Sequence, residues 1–454
     1  MHLLGAVTSY GNYLHSTKTL AFTTEGSSYV GTSGIDVISI DSPETATSVT
    51  GKFTGGQQAA DTIGINTAYN SGSVRGGQGT DTISFGAGSS LTDSHLNGNS
   101  NNDTIGVAGA AANLFTATIQ GGQGNDNVVT AQVSASLVNG NKNVDTITAG
   151  NITDAGTVRG GQGADLITVN ASNTGSVFGD LDNDIVTVAA GTHTDILFDG
   201  GDGNDNIQLT AASTLTRLTM NGGAGNDILN GNAAMTAATG TRADGGAGID
   251  NINFAAFTQA ATLVGGDDGD TIASGTAADT VTGDAGNDSI TNAGGTDTFT
   301  GGTGNDLITS GVVGERYIQA SGDSTAATVG WTNSAGGTLT DDNSVLVFGN
   351  GVDVISGAIG TFANGTRIAT GINGATEINA GATNITNLAA GNYVIQGDWT
   401  AATNTWNVDT TGADTLFLQI AGGSLNVLAN NGTTAIVFDG WDGTAAGNIT
   451  SFIV

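Results

Sequence analysis

The chain of 454 residues has no cysteine, a single proline (Pro43), and nine basic residues against 41 acidic ones, a formal charge of −32. Without cysteine there is neither a disulfide scaffold nor a thiolate metal site. One proline and the lack of a Gly-X-Y period exclude a collagen-like rod. Nine scattered cations cannot build a phosphate-binding groove, and the net charge repels DNA and RNA, which excludes nucleic acid as a partner. No apolar run approaches the ~18 residues of a membrane-spanning helix. Lys, Glu, Arg and Met, the usual helix formers, are rare, so almost no α-helix is expected. A hydrophobic content of 38% is nonetheless too high for a disordered acidic tail.

What the chain has in excess is glycine, 75 residues, and aspartate. Only four acids are glutamate (Glu25, Glu44, Glu315, Glu377), leaving 37 aspartates. Aspartate holds its carboxylate close to the main chain and accepts tight turns. Seven copies of Gly-Gly-x-Gly-x-Asp begin at Gly76, Gly121, Gly160, Gly200, Gly222, Gly245 and Gly301, where composition alone gives about 0.2. Degenerate copies end at Asp36, Asp61, Asp103, Asp145, Asp184, Asp270 and Asp288. The closing aspartates step by 19 to 25 residues as far as Asp270 and by nine from there to Asp306, so Asp279 and Asp297 fall half a turn from the main column.

Two apolar columns keep the same register. One lies two residues after each aspartate, from Ile38, Ile63, Ile83 and Ile105 to Ile290, Phe299 and Ile308. The other lies two residues before the first glycine: Val74, Leu96, Ile119, Val138, Val158, Val177, Phe198, Met220 and Leu263. Alternation of apolar with Thr or Asn marks each as a short half-buried strand. One period is therefore a glycine–aspartate corner, a strand, a variable corner and a returning strand. Such coils stack about 4.8 Å apart into an all-β parallel solenoid, here a rod of roughly 60 Å.

Stacking places like charges in register, and each pair repels by around 1 kcal/mol or more near a surface. A divalent cation between rungs relieves this, and Ca²⁺ suits clustered carboxylates and turn carbonyls. The expected metal ligands are Asp81, Asp103, Asp126, Asp145, Asp165, Asp184, Asp205, Asp227, Asp250, Asp270, Asp279, Asp288, Asp297 and Asp306. Glycines supply positive φ at the corner, and Asn at the fifth position (Asn125, Asn204, Asn226, Asn305) is expected to share that geometry. Copies without the glycines, at 98–103, 140–145 and 179–184, are expected to be weak or empty.

The motif Gly-Gly-x-Gly-x-Asp-x-apolar-x resembles the calcium-binding repeats of the repeats-in-toxin (RTX) family. The resemblance covers residues 31–310 and is strongest over 265–309. It implies a β-roll, Ca²⁺ between the loops of adjacent coils, and type I export read from a C-terminal signal. The start of the chain, without a basic segment, does not read as a cleaved signal peptide. The longer period is a departure that puts calcium corners on one edge only.

The flanks differ. Residues 1–54 read as a cap or assembly segment, 55–310 as the calcium-binding solenoid, and 311–454 as a β-sandwich-like domain for assembly or secretion. All four tryptophans (Trp331, Trp399, Trp406, Trp441) lie in the last part, as core residues or sugar platforms. Strands are expected at 344–348, 393–396, 415–420, 435–438 and 449–454.

Catalytic signatures are missing. His2, His15, His95 and His193 are scattered, with His95 and His193 expected to face solvent. There is no His-Glu-x-x-His and no Gly-x-Ser-x-Gly elbow, so an enzyme is not expected. The small-residue composition and these repeats resemble bacterial surface-layer proteins. The reading is an extracellular, calcium-binding structural protein that polymerises with copies of itself, with cell-surface polysaccharide as a second partner. An adhesin and an ice-binding solenoid are the alternatives.

Overall fold

A computed structural model describes residues 34–40, 59–86, 88–106, 112–210, 213–231 and 240–310, together with the backbone of further strands named below. The described residues are all-β, without a helix, and form parallel solenoid coils. The chain divides into two compact units, 1–238 and 239–454.

In the first unit the strand after each closing aspartate pairs in parallel, in register, with its counterparts one coil away. Ile63 faces Ile83, Ile83 faces Ile105, and the column continues through Val128, Ile147, Ile167, Val186 and Ile207 to Leu229. The returning strands do the same from Val74 through Leu96, Ile119, Val138, Val158 and Val177 to Phe198 and Met220. All these side chains are buried. Side chains alternate across a strand, so each apolar residue turns inward while its Thr or Asn neighbours turn out.

The long-period coils carry a third strand where the sequence suggests only a variable corner. Its inward column is Tyr69, Leu91, Leu114, Val133, Ile152, Ser172, His193 and Leu215. A left-handed residue then bends each coil toward the returning strand, as at Ser71, Asp93, Thr116, Ala135 and Thr174. No glycine marks that bend, which is why it is silent in the sequence.

His193 corrects the sequence expectation: it is buried, not solvent-facing. It sits in the third-strand column, where its Nε2 lies 3.1 Å from the Ala189 carbonyl oxygen. Burial holds its pKa below the usual histidine value. His95 is half-buried at the start of a returning strand.

In the second unit the inward columns are Ile252, Ile272, Ile290 and Ile308, and Ala243, Leu263, Val281 and Phe299. Buried Phe254 and Phe257 meet edge to face at 5.3 Å. They fill the core in the coil that precedes the shorter, 18-residue ones. Farther on, Gly391–Thr400 pairs antiparallel with Asp414–Ile420, which pairs antiparallel with Thr433–Asp439. Val329–Asn333 pairs antiparallel with Ser344–Phe348. Strands thus occur at four of the five expected places. The segment 449–454, Trp441, His2 and His15 lie outside the described residues.

An inward ladder makes a direct prediction. Ile147→Ala should lower unfolding stability by about 2–4 kcal/mol, while Thr148→Ala on the outer face should change it by about 0.5 kcal/mol or less. Guanidinium denaturation followed by circular dichroism measures both. Equal effects would contradict the assigned faces.

Candidate metal-binding aspartate ladder

At the closing aspartate the parallel backbone ladder between coils is interrupted, and a side chain takes over the pairing. Behind it, the residue after the next coil's aspartate returns a backbone bond: the Thr104 N–H donates to the Asp81 carbonyl at 2.8 Å, and the Asn127 N–H to that of Asp103 at 2.8 Å. The aspartate's own N–H finds its acceptor in the next coil's side chain. Asp36 donates to Asp61 Oδ1, Asp61 to Asp81, Asp81 to Asp103, and so on through Asp126, Asp145, Asp165, Asp184 and Asp205 to Asp227, at 2.7–2.8 Å. In the second unit Asp250, Asp270, Asp288 and Asp306 repeat the pattern at 2.8–2.9 Å. A buried N–H without an acceptor costs about 1–3 kcal/mol, which the carboxylate averts.

Asp279 and Asp297 form a separate ladder half a turn away, as their spacing implies. Ala261 donates to Asp279 Oδ1 at 2.8 Å and Asp279 to Asp297 Oδ1 at 2.7 Å. Asp279 Oδ2 accepts from the Gly275 N–H at 3.0 Å, so both its oxygens are used.

The fourteen aspartates expected as ligands are all buried, none more than 3% exposed. They point into the corner rather than out from the edge. Asp61 joins their ladder too; its signal was a motif copy one residue longer than the rest, ending there.

The second oxygen sets the electrostatics. Oδ2 of Asp81, Asp103, Asp126, Asp145, Asp165, Asp184, Asp205 and Asp270 is buried and accepts no hydrogen bond. The first glycine of each motif makes room for it. A Cβ on Gly76 would stand 2.6 Å from Asp81 Oδ2 and 2.6 Å from the carbonyl oxygen of Gly98 in the next coil. Two hard oxygens therefore converge on the space that glycine leaves. Desolvation, opposed in part by the backbone N–H and reinforced by neighbouring aspartates, pushes Asp103, Asp145 and Asp184 up to about 8. Desolvation likewise raises Asp165 and Asp270 to about 7, and Asp81, Asp126 and Asp205 to about 6. A charged carboxylate here needs a proton or a cation.

Carboxylate and carbonyl oxygens are the donor set of Ca²⁺. Among the described residues no three acidic or histidine side chains cluster as a metal site. Each corner brings one carboxylate, so a cation there draws most of its ligands from turn carbonyls.

The left-handed positions are the second and fourth of the motif, not the fifth. Gly122 and Gly124 hold them in one copy; Asn99, Asn101, Asn141, Asn143, Asp180 and Asp182 hold them in copies without the glycines. This overturns the role expected of the fifth-position asparagines. Those instead build a ladder of their own: the Asn125 N–H donates to Asn102 Oδ1 at 2.9 Å, Asn226 to Asn204 at 2.7 Å, and Asn305 to Asn287 at 2.8 Å. The degenerate copies consequently keep Asp103, Asp145 and Asp184 on the same aspartate ladder as the complete ones.

No protein-family model matches the chain, and no curated protein matches it.

Two predictions follow from the ladder. The folded protein holds these protons more tightly than an unfolded aspartate of pKa about 3.9, so the metal-free solenoid gains stability as pH falls from about 8 toward 4 and loses it on the return. Thermal melts with EDTA across that range check the sign. Second, Asp145→Asn keeps the acceptor for the Asp126 N–H and removes the charge, and should stabilise the metal-free protein at pH 8. Asp145→Ala strands that N–H and should cost about 1–3 kcal/mol. The pH at which each variant loses its β-sheet signal in EDTA separates these outcomes: above the parent's for Asp145→Asn, below it for Asp145→Ala.

Proposed function

We propose that the chain is a secreted structural protein whose solenoid is rigidified by Ca²⁺ and which assembles with copies of itself into a surface layer or extracellular filament. The observation that carries this reading is the row of buried aspartates whose Oδ2 atoms have no hydrogen bond. On this reading the carboxylates from Asp81 to Asp306, with the first-glycine carbonyls of neighbouring coils, hold the cations. Bound Ca²⁺ supplies the charge neutralisation that protons supply at acid pH. The resemblance to the RTX repeats supports the choice of calcium and of type I export. The antiparallel strands between residues 329 and 439 belong, on the same reading, to a C-terminal β-sandwich used for assembly or export.

Self-assembly draws support from the outer face of the first unit. Leu166, Ile185 and Ile228 are 40–43% exposed and, with Asn206, form one column along the axis of the coils. A row of large apolar side chains on a flat sheet favours a protein contact over water. No helix among the described residues is long and apolar enough to cross a membrane.

The test is calcium removal. At neutral pH, EGTA should abolish the β-sheet signal in circular dichroism, and millimolar CaCl₂ should restore it. Negative-stain electron micrographs should show ordered sheets or filaments with calcium and none with EGTA. Unchanged β-sheet content on chelation at pH 8 would overturn the calcium reading. Folded, dispersed particles with calcium would overturn polymerisation.

A further inference from the structure

Beside the aspartate corner the glycine-rich turn leaves a second feature, on the solvent side. The second motif position has positive φ and no side chain in Gly161 (φ 118°) and Gly201 (φ 107°). The residues on either side of it do have outward side chains. Stacked coils therefore form a trough whose floor alternates bare main chain at Gly161 and Gly201 with the side chains of Asn141 and Asp180. One wall is the column Asn139, Arg159, Phe178, Asp199; the other is Lys142, Gln162, Leu181, Asp202. Over these four coils the walls enclose an open groove of about 620 Å³. Past Asp202 the second wall falls to Ala224, which ends it.

The groove wall is braced. Arg159 lies 4.6 Å over the ring of Phe178 and donates from Nε to Asp180 Oδ2 at 2.9 Å. The stacked cation and the ion pair across neighbouring coils hold the ring upright. Gln162, Leu181 and Asp202 are exposed at the opposite lip. The lining is thus mixed: three amides that both donate and accept (Asn139, Asn141, Gln162), three carboxylates that accept (Asp180, Asp199, Asp202), the Lys142 ammonium, and the apolar Phe178 and Leu181.

We propose that this groove binds an extended, uncharged polysaccharide. Hydroxyl-rich sugar rings need acceptors and amides for their O–H groups and apolar contacts for their C–H faces. Asp199, Asp202 and Gln162 offer the first, and Phe178 with Leu181 the second. The coil spacing of about 4.8 Å is close to the advance of one pyranose unit along an extended glycan, so successive sugars meet successive coils in the same frame. The net charge of −32 disfavours acidic polysaccharides. The site requires only that the coils fold; polymerisation plays no part in it.

The experiment uses the full chain in millimolar CaCl₂, below its assembly concentration. Circular dichroism verifies folding. Cello-, manno- and laminarihexaose and a dextran oligomer are titrated by calorimetry, with an alginate hexamer and a chitosan hexamer as acidic and cationic counterparts. At least one neutral oligosaccharide should bind saturably. Phe178→Ala and the double variant Gln162→Ala/Asp202→Ala, both at outward positions, should weaken it tenfold or more with an unchanged spectrum. Thr187→Ala/Gln208→Ala on the other sheet should leave it unaltered. The proposal is overturned if no neutral oligosaccharide binds, if both groove variants bind as the parent does, or if the chitosan hexamer alone is retained. Because folding is read separately, failure here is distinct from failure of the calcium reading.

Discussion

Each coil of this protein is completed by its successor. The N–H of one aspartate is capped by the carboxylate of the next, while a backbone N–H from that next coil closes on the first aspartate's carbonyl. The exchange is reciprocal between neighbours yet directional along the chain, because side-chain oxygen always comes from the C-terminal side. No coil owns its corner. Apolar columns alone would allow a coil to slip by two residues and still bury an Ile or Val. The aspartate bond fixes a single register, since it joins one particular N–H of each corner to one carboxylate of the next coil.

The cost of this device is electrostatic. A carboxylate that caps an N–H through Oδ1 must leave Oδ2 somewhere, and here it is buried against a glycine. Each upward unit in a carboxyl's pKa corresponds to about 1.4 kcal/mol of lost stability while the group stays charged. Repeated along the ladder, these costs weigh against the roughly 5–15 kcal/mol that hold an ordinary domain together. The hydrophobic columns and the charge ladder thus oppose one another at neutral pH. Neutralisation decides the balance, and so couples the fold to proton concentration.

Much of this was legible in the sequence because it repeats. Ile83, Ile105, Val128 and Ile147 are unremarkable singly, but in one register with the aspartates they define a sheet face. The half-turn offset of Asp279 and Asp297 was equally readable, since nine is half of eighteen. The third strand was missed although its column is readable: Tyr69, Leu91, Leu114, Val133, Ser172, His193 and Leu215 each stand seven residues before the motif's first glycine, but their distances from the preceding aspartate vary, and the bend after them uses Ser, Asp, Thr or Ala rather than glycine. His193 was misread because it is a polar member of that otherwise mostly apolar column, and a histidine taken alone is more often read as facing outward. The inward aim of the carboxylates also escaped. Spacing gives the residue that stands at the corner but not the side of the chain on which its oxygen finds a donor.

The choice of residue at the sixth motif position carries the strongest physical hint about function. Capping an N–H needs only an oxygen at the right distance, and asparagine supplies the same oxygen without charge. The chain uses asparagine freely at these corners. It alternates with glycine and aspartate at the second and fourth positions, as Asn99, Asn101, Asn141 and Asn143 show, and it forms its own ladder at the fifth. Yet every closing residue from Asp36 to Asp306 is aspartate. A neutral isostere would relieve the desolvation and the repulsion together, at no loss of the hydrogen bond. A charge kept at each rung is therefore superfluous to the backbone geometry. It makes sense if the charge itself is what the corner presents, to a cation whose binding then becomes part of the folding free energy.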